Sequence, residues 1–325
     1  MNLRTGEGRQ LWPEVEGTPG DVDAGAAGGA ATPDADDAVY VPGTYGNPTA
    51  PVYAPATRML AFLIQSSAGN QIWVMPLTYD ADGWPGADVA AARMVVASCG
   101  GGCGTLTWAP SGRWLIFDTP SGLAALDPQT GVTRQVTTGT GDAWPACSPD
   151  GRWLAFQRAK DLDADIAIVP TADCLPDADD ARAPRYIEGY RPSWHPVWSP
   201  GSRWLAFYSN VSGKGRIYVI ALAALTVDGS GQTLTDAQVV APHGCSDYAW
   251  VPSSSPAGAM LVAMCDLPTP DNHHGSLLIL APTGAAPPLP IAVSEGVLVR
   301  MAPCWLPGPP PVPARVAPGG IYTDN

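Results

Sequence analysis

The sequence predicts an all-β fold: a six-bladed β-propeller of four-stranded antiparallel blades, with the ring closed by an N-terminal outer strand. Three observations predict it. Glycine and proline contribute 36 residues each to a chain of 325, which argues against a mainly helical protein because both destabilise helix interiors. The chain is 46% hydrophobic with 12 tryptophans, so it can bury a core. A motif also recurs at the spacing of propeller blades.

The motif joins a tight turn to an apolar strand. Its copies are anchored at Tyr53, Trp108, Cys147, Trp198, Trp250 and Trp305, 39 to 55 residues apart. In the clearest copies, Ser-Pro-Asp-Gly predicts a turn in which proline presets φ and glycine takes the left-handed conformation. The segment Arg-Trp-Leu-Ala-Phe that follows does not alternate with polar residues, so both of its faces should be covered. This is typical of the second strand of a blade.

A second apolar segment follows each clear copy and predicts the third strand of five blades: 72–75, 123–126, 166–169, 217–220 and 277–280. Residues 127–136 then predict a turn and an outer fourth strand. The chain ends are similar to parts of the repeat, since 321–324 matches a third strand and 3–11 matches a turn and a fourth strand. A sixth blade shared by both ends would close the ring and remove open sheet edges.

The whole chain, 1–325, is therefore expected to be one propeller domain. Residues 1–12 would supply the outer strand of the closing blade, 13–44 a flexible acidic excursion rich in glycine and alanine, and 45–325 the propeller repeats. A fragment cut from a longer tandem array would have similar ends and remains the alternative.

The pattern Trp-Ser-Pro-Asp-Gly-x-x-Leu-Ala-Phe followed by Ile-Tyr-Val resembles the TolB-type, WD40-like propeller repeat, also called PD40. The resemblance covers roughly residues 45–325 and the first dozen. It implies a six-bladed propeller that scaffolds protein interactions. It leaves the function open, because the same repeat recurs inside peptidases, lyases and sensors.

Charge and cysteine content limit the classes of binding partner and the cellular compartment. The net charge of −13 disfavours binding to nucleic acid or anionic membranes and suits cations or basic protein surfaces. No apolar run approaches the ~20 residues of a membrane span. The start of the chain lacks a signal segment, which fits a cytoplasmic protein, a mature form or an excised domain of a larger protein. The seven cysteines and the resemblance favour a periplasmic or extracellular location.

Several cysteines could be structural. Cys99 and Cys103 flank a glycine loop that a disulfide could close, and Cys245 and Cys265 could face each other across a hairpin. Cys147 takes a position where other copies carry tryptophan, so we expect a buried apolar filler.

One face of the propeller is expected to carry the site. The long segments 80–104, 170–192, 224–246 and 265–276 are predicted on the face where the innermost strands start, and long loops on a rigid scaffold often bind ligands. The predicted ligand-binding residues at this channel mouth are Asp142, Trp144, Trp194, His195, Asp247 and Tyr248. An exposed tryptophan there could stack on a sugar ring or anchor a peptide.

Two patterns suggest a metal. Asp161, Asp163 and Asp165 alternate in a predicted second-to-third loop and could bind Ca²⁺ through their oxygens, although the glycine and glutamate of an EF-hand are missing and a solvated loop is the alternative. The histidines, with two aspartates, could form a metal or acid–base site on the same face: His195, His243, His273, His274, Asp247 and Asp271. Their spacing follows no ligand motif.

The sequence therefore predicts a non-catalytic binding or scaffold propeller that docks a peptide, a glycan or a basic protein surface on its long-loop face. The alternative is a metal-dependent polysaccharide lyase or hydrolase that uses the histidines and aspartates of the channel mouth. A sensory or structural domain of a larger cell-surface protein is a third possibility. The sequence contains no Gly-x-Ser-x-Gly nucleophile elbow and no glycine-rich nucleotide loop.

Overall fold

The structure is a computed structural model that describes residues 48–66, 69–80, 85–99, 103–160, 163–171, 175, 187–189, 193–221, 238–242, 244–252, 258–265, 276–284 and 286–291. Almost all of their regular structure is β-strand. None of the helices in this part of the chain is long and apolar enough to cross a membrane.

The strands form five antiparallel sheets in chain order. The first three sheets contain β1 (Pro48–Ala54), β2 (Met59–Ser66), β3 (Gly69–Tyr79), β4 (Pro85–Ala87) and β5 (Arg93–Val96); then β6 (Leu106–Trp108), β7 (Leu115–Thr119), β8 (Gly122–Leu126) and β9 (Thr133–Gln135); then β10 (Ala143–Cys147), β11 (Trp153–Lys160), β12 (Asp163–Pro170) and β13 (Ile187–Gly189). In the first sheet, β4 and β5 both pair with β3.

The last two sheets repeat the four-stranded pattern. They contain β14 (Ser193–Trp198), β15 (Trp204–Ser209), β16 (Arg216–Ala221) and β17 (Gln238–Val239); then β18 (Cys245–Pro252), β19 (Ala259–Cys265), β20 (Ser276–Leu280) and β21 (Leu289–Ile291). The first strands of neighbouring sheets contact one another in the order β1, β6, β10, β14, β18. This is the arrangement of propeller blades around a central axis.

The predicted all-β propeller of antiparallel blades is confirmed, but the described residues form five blades rather than six. The segments expected to build the sixth blade, 3–11 and 321–324 with Trp305, lie outside the described residues. So does the predicted excursion 13–44.

The core lies between blades, as the apolar second strands predict. In β11, Trp153 and Ala155 pack with Leu205 and Phe207 of the next blade. On the other face of the strand, Leu154 and Phe156 pack with the preceding blade. Both faces of β11 are therefore covered, which explains why this segment has no alternation of polar residues.

A tryptophan at the end of the first strand links three pairs of blades. Trp108 donates its indole N–H to the carbonyl oxygen of Val52 at 3.1 Å, and Trp198 donates to Ala146 at 2.9 Å. Trp250 repeats this bond to Val197 at 2.9 Å. Because each bond joins the first strands of adjacent blades, it fixes their spacing near the axis.

The connections between strands define two faces. The lower face carries the first-to-second and third-to-fourth connections, and the upper face carries the second-to-third and blade-to-blade connections. Three of the long segments predicted on the upper face contain an outer strand that the sequence analysis missed: β5, β13 and β17. Each of them pairs with the third strand of its blade, so these segments are not uninterrupted second-to-third or blade-to-blade connections. The outer strands there are two to four residues long, too short to give a sequence signal.

Candidate functional site

The innermost strands of four blades begin with the same irregularity. The pairing register shifts near the start of β1, β10, β14 and β18. At each shift a non-glycine residue has positive φ: Ala50 (48°), Trp144 (55°), His195 (58°) and Asp247 (37°). Each lies three residues before the anchor of its repeat, so these bulges place equivalent positions of successive blades around the upper end of the axis. Backbone conformations of this kind cluster at functional sites.

Three of the predicted site residues form a continuous aromatic row across blades three, four and five. The rings of Trp144 and His195 lie 4.3 Å apart between centroids, and those of His195 and Tyr248 lie 5.4 Å apart. Tyr248 is buried and donates its hydroxyl hydrogen to the carbonyl oxygen of His195. Trp144 is 39% exposed and His195 is half-buried, so the indole is the most accessible of the three rings.

Asp247 completes the row with a negative charge. Burial lowers the pKa of His195 below its ordinary value, while the nearby carboxylate of Asp247 acts in the opposite direction. Burial also raises the pKa of Tyr248 well above its ordinary value. Both shifts favour the uncharged form, so at neutral pH the row contains a neutral imidazole and a neutral phenol.

A network that the sequence analysis missed holds Trp144 in place. Trp144 donates its backbone N–H to Oγ1 of Thr105 at 2.9 Å. Thr105 in turn donates its hydroxyl hydrogen and its backbone N–H to Oδ1 of Asp118, at 2.8 and 2.7 Å. Thr105 precedes Trp108 by three residues, so the repeat itself marks this position as the one that blade two contributes to the row.

Two other predicted ligand-binding residues make contacts within the protein. Asp142 is 1% exposed, and its carboxylate accepts two hydrogen bonds from Arg158 at 3.1 and 3.0 Å. Trp194 packs on Tyr208 with ring centroids 5.8 Å apart.

Two buried oxygens near the same strand starts have no hydrogen-bond partner among the described residues: Oε1 of Gln157, which pairs with Ala143, and Oγ of Ser193. Buried polar atoms normally bind protein or water. A ligand atom can serve the same purpose.

The predicted Ca²⁺ loop is only partly described. Asp163 and Asp165 lie at the start of β12, opposite Lys160 and Arg158 of β11, and not in a loop. Asp163 is exposed and Asp165 is 6% exposed. Asp161 lies outside the described residues, as do His243, Asp271, His273 and His274. Within the described part of the chain, no group of three or more histidine, cysteine, aspartate or glutamate side chains could hold a metal ion.

The structure contains both disulfides that the sequence suggested, Cys99–Cys103 and Cys245–Cys265. The second joins β18 to β19 two residues before Asp247 and so fixes the strand that carries the charged end of the row. Cys147 is half-buried and packs against the core between blades two and three, which corrects the expectation of a fully buried filler.

Comparison with family models and with curated proteins found no match for this chain. Solved propeller structures do match. TolB from Acinetobacter baumannii is 14% identical with a TM-score of 0.48; the match covers 74% of this chain and 53% of that one. A protein assigned as TolB from Agrobacterium tumefaciens is 17% identical with a TM-score of 0.49, over 75% and 80% of the two chains.

Oligogalacturonate lyase from Vibrio parahaemolyticus matches at 10% identity and a TM-score of 0.49, over 76% of this chain and 66% of that one. TolB-type propellers are thus among the structures that this chain resembles, as the repeat predicts. At these identities the similarity concerns the fold alone. The chain spans about half the length of the Acinetobacter TolB chain.

Proposed function

We propose that this protein is a non-catalytic binding propeller whose upper face docks a peptide segment of a partner protein. The observation that carries the proposal is the row of Trp144, His195, Tyr248 and Asp247, which successive blades present through equivalent bulges. A rigid ring can hold these side chains ready for a partner, so little ordering entropy is lost on binding.

The chemistry of the row favours a segment with a basic residue. A lysine or arginine can lie over the exposed indole of Trp144 and reach the carboxylate of Asp247. The net charge of −13 attracts cationic partners over a longer range. A glycan could also stack on the indole and donate hydroxyl hydrogens to the carboxylate, but only a cationic segment gains from the net negative charge as well.

The proposal includes the finer architecture that the sequence predicts. Six blades, closed by the N-terminal outer strand into a single domain 1–325, would complete the channel around which the row lies. A periplasmic or extracellular location is favoured by the two disulfides, which persist in oxidising compartments.

A metal-dependent lyase or hydrolase remains the alternative function, and Ca²⁺ binding at Asp161, Asp163 and Asp165 remains a prediction. Both require a stoichiometric metal, which elemental analysis of the purified protein measures. Melting with and without EDTA gives a second readout, because a bound ion at 100 times its Kd stabilises by about 2.7 kcal/mol. A stoichiometric metal that the variant His195→Ala loses would favour the enzyme over the binding module.

A selection from a random-peptide library tests the proposed function. The wild-type protein is the bait, and the Trp144→Ala variant removes peptides that bind elsewhere. Peptides enriched in lysine or arginine are the expected result. Enrichment of acidic peptides, or no enrichment above that obtained with Trp144→Ala, would count against the proposal.

A further inference from the structure

Four blades carry an arginine at the same repeat position on the lower face. Arg58, Arg113, Arg152 and Arg203 each lie five residues after the anchor of their repeat and directly before the second strand, and all four are exposed. The first-to-second turns therefore carry a series of guanidinium groups on a protein whose net charge is −13.

Two acidic residues lie near these arginines, and each is bound by its own turn. The carboxylate of Asp150 accepts from the hydroxyl of Ser148 at 2.6 Å and from the backbone N–H of Arg152 at 3.1 Å. Burial raises the pKa of Asp127, but hydrogen bonds from Gln129, Thr130 and Arg113 outweigh it and lower the pKa overall. Asp127 is thus a carboxylate shared between its own turn and the guanidinium of Arg113.

Next to Arg113 the lower face has a cavity of about 310 Å³ between blades one and two. Met59, Trp108 and the turn glycine Gly112 provide apolar lining, and Arg93 and Arg113 contribute the cationic groups. Asp127 also lines the cavity and pairs with Arg113, so Arg93 supplies the cationic charge in excess of this ion pair. This volume lies at the lower end of the range for small-molecule sites.

The guanidinium of Arg113 is oriented by two contacts. Its Nε lies 3.5 Å from Oδ2 of Asp127, and its Cζ lies 5.0 Å from the centroid of the Trp114 ring. The side chain is still 56% exposed. Arg93, at the start of β5 of blade one, also lines the cavity.

We propose that this cavity binds a small carboxylate with an apolar body, whose carboxylate pairs with Arg93 and Arg113 while the apolar body lies against Met59 and Trp108. Guanidinium groups match carboxylates geometrically and form charge-assisted hydrogen bonds with them. The ligand is either a free carboxylic acid or the C-terminal residue of a polypeptide, since both present this chemistry. The site is separate from the upper-face row and does not depend on the function proposed for it.

Titration calorimetry with 3-phenylpropionate as the probe tests the site, and 3-phenylpropionamide is the neutral control. We expect the carboxylate to bind and the amide to bind at least tenfold more weakly. Arg93→Gln and Arg113→Gln should each weaken binding of the carboxylate at least about tenfold. Arg152→Gln is the matched control, because it removes the equivalent arginine of blade three, which does not line the cavity.

Testing two arginine variants distinguishes a loss of binding from a loss of folding. Arg113 packs on Trp114, so its variant could lose stability, but Arg93 lies exposed on an outer strand. Melting curves of each variant identify a loss of fold. A short peptide ending in phenylalanine, compared with its C-terminal amide, separates the two ligand sources. Equal binding of acid and amide, equal losses in Arg152→Gln and Arg113→Gln, or no binding of the carboxylate would overturn the proposal.

Discussion

The indole N–H of Trp198 points at the carbonyl oxygen of Ala146 in the preceding blade, 2.9 Å away. The same bond recurs from Trp108 and Trp250, so the motif that marks the repeat in the sequence is also the link between blades.

Replacing Trp198 by phenylalanine should destabilise the protein more than replacing Trp153 does. Both tryptophans are buried, at 6% and 4% exposure, so both variants lose similar ring area. The buried indole N–H of Trp153 has no hydrogen-bond partner among the described residues, so Trp153→Phe removes an unsatisfied donor, whereas Trp198→Phe removes the bond to Ala146. The expected difference in unfolding free energy is about 1–3 kcal/mol by urea denaturation. Equal losses would mean that this bond does not stabilise the blade contact.

Contact between the turns of blades one and two should make Gly112 harder to replace than Gly131. Both have φ near +70°, so alanine costs backbone strain at both, on the order of 1–2 kcal/mol. A Cβ at Gly112 would come within 2.6 Å of Thr57, while a Cβ at Gly131 meets nothing within 4 Å. We expect Gly112→Ala to lose about 1–3 kcal/mol more in denaturant melts, the usual cost of overpacking. A larger loss of unfolding free energy in Gly131→Ala than in Gly112→Ala would contradict the predicted effect of the contact with Thr57.

The two disulfides should stabilise to different degrees. Cys245–Cys265 closes a loop with a sequence separation of 20, and Cys99–Cys103 closes one with a separation of 4. From loop entropy we expect losses of about 3 kcal/mol and about 2 kcal/mol when each pair is changed to alanine. Thermal unfolding of the two double variants measures the order. The reverse order would mean that native contacts, rather than loop length, decide the effect.

Stability should fall on acidification because of His195. Its pKa is lower in the folded state than in the unfolded chain, so the unfolded chain binds more protons below pH ~6.5. The contribution of the neutral imidazole is fully present above that pH and is lost as the pH falls through the folded pKa. The groups facing the imidazole are Asp247, Tyr248 and the Trp144 ring.

Melting temperatures measured between pH 7.5 and pH 5 should therefore fall less steeply in His195→Gln than in the wild type. Asp247→Asn should steepen the fall, because the carboxylate partly compensates for the burial of the imidazole. Parallel pH profiles for all three proteins would show that His195 does not titrate in this window.

The features of this structure that could be predicted from the sequence are those that the repeat encodes. The apolar segment that begins at Trp153 predicts a strand covered on both faces. The spacing of the anchors predicts the blades and places Trp144, His195 and Asp247 at equivalent positions around the axis. The sequence could not show that the carboxylate of Asp142 is paired with Arg158, because this ion pair depends on how two strands lie relative to each other. The outer strands within the long segments were also missed in the sequence analysis, because strands as short as β17 have no pattern of their own.

Binding at the upper-face row is the central claim, and titration calorimetry with a peptide selected on the wild-type protein tests it most directly. Trp144→Ala and Asp247→Asn should each weaken binding at least about tenfold, as expected for removal of an exposed aromatic anchor or of a charge partner. Val211→Ala, which trims an exposed apolar residue (48%) between β15 and β16 on the same face, should leave the affinity unchanged. Unchanged binding to both row variants would contradict the account.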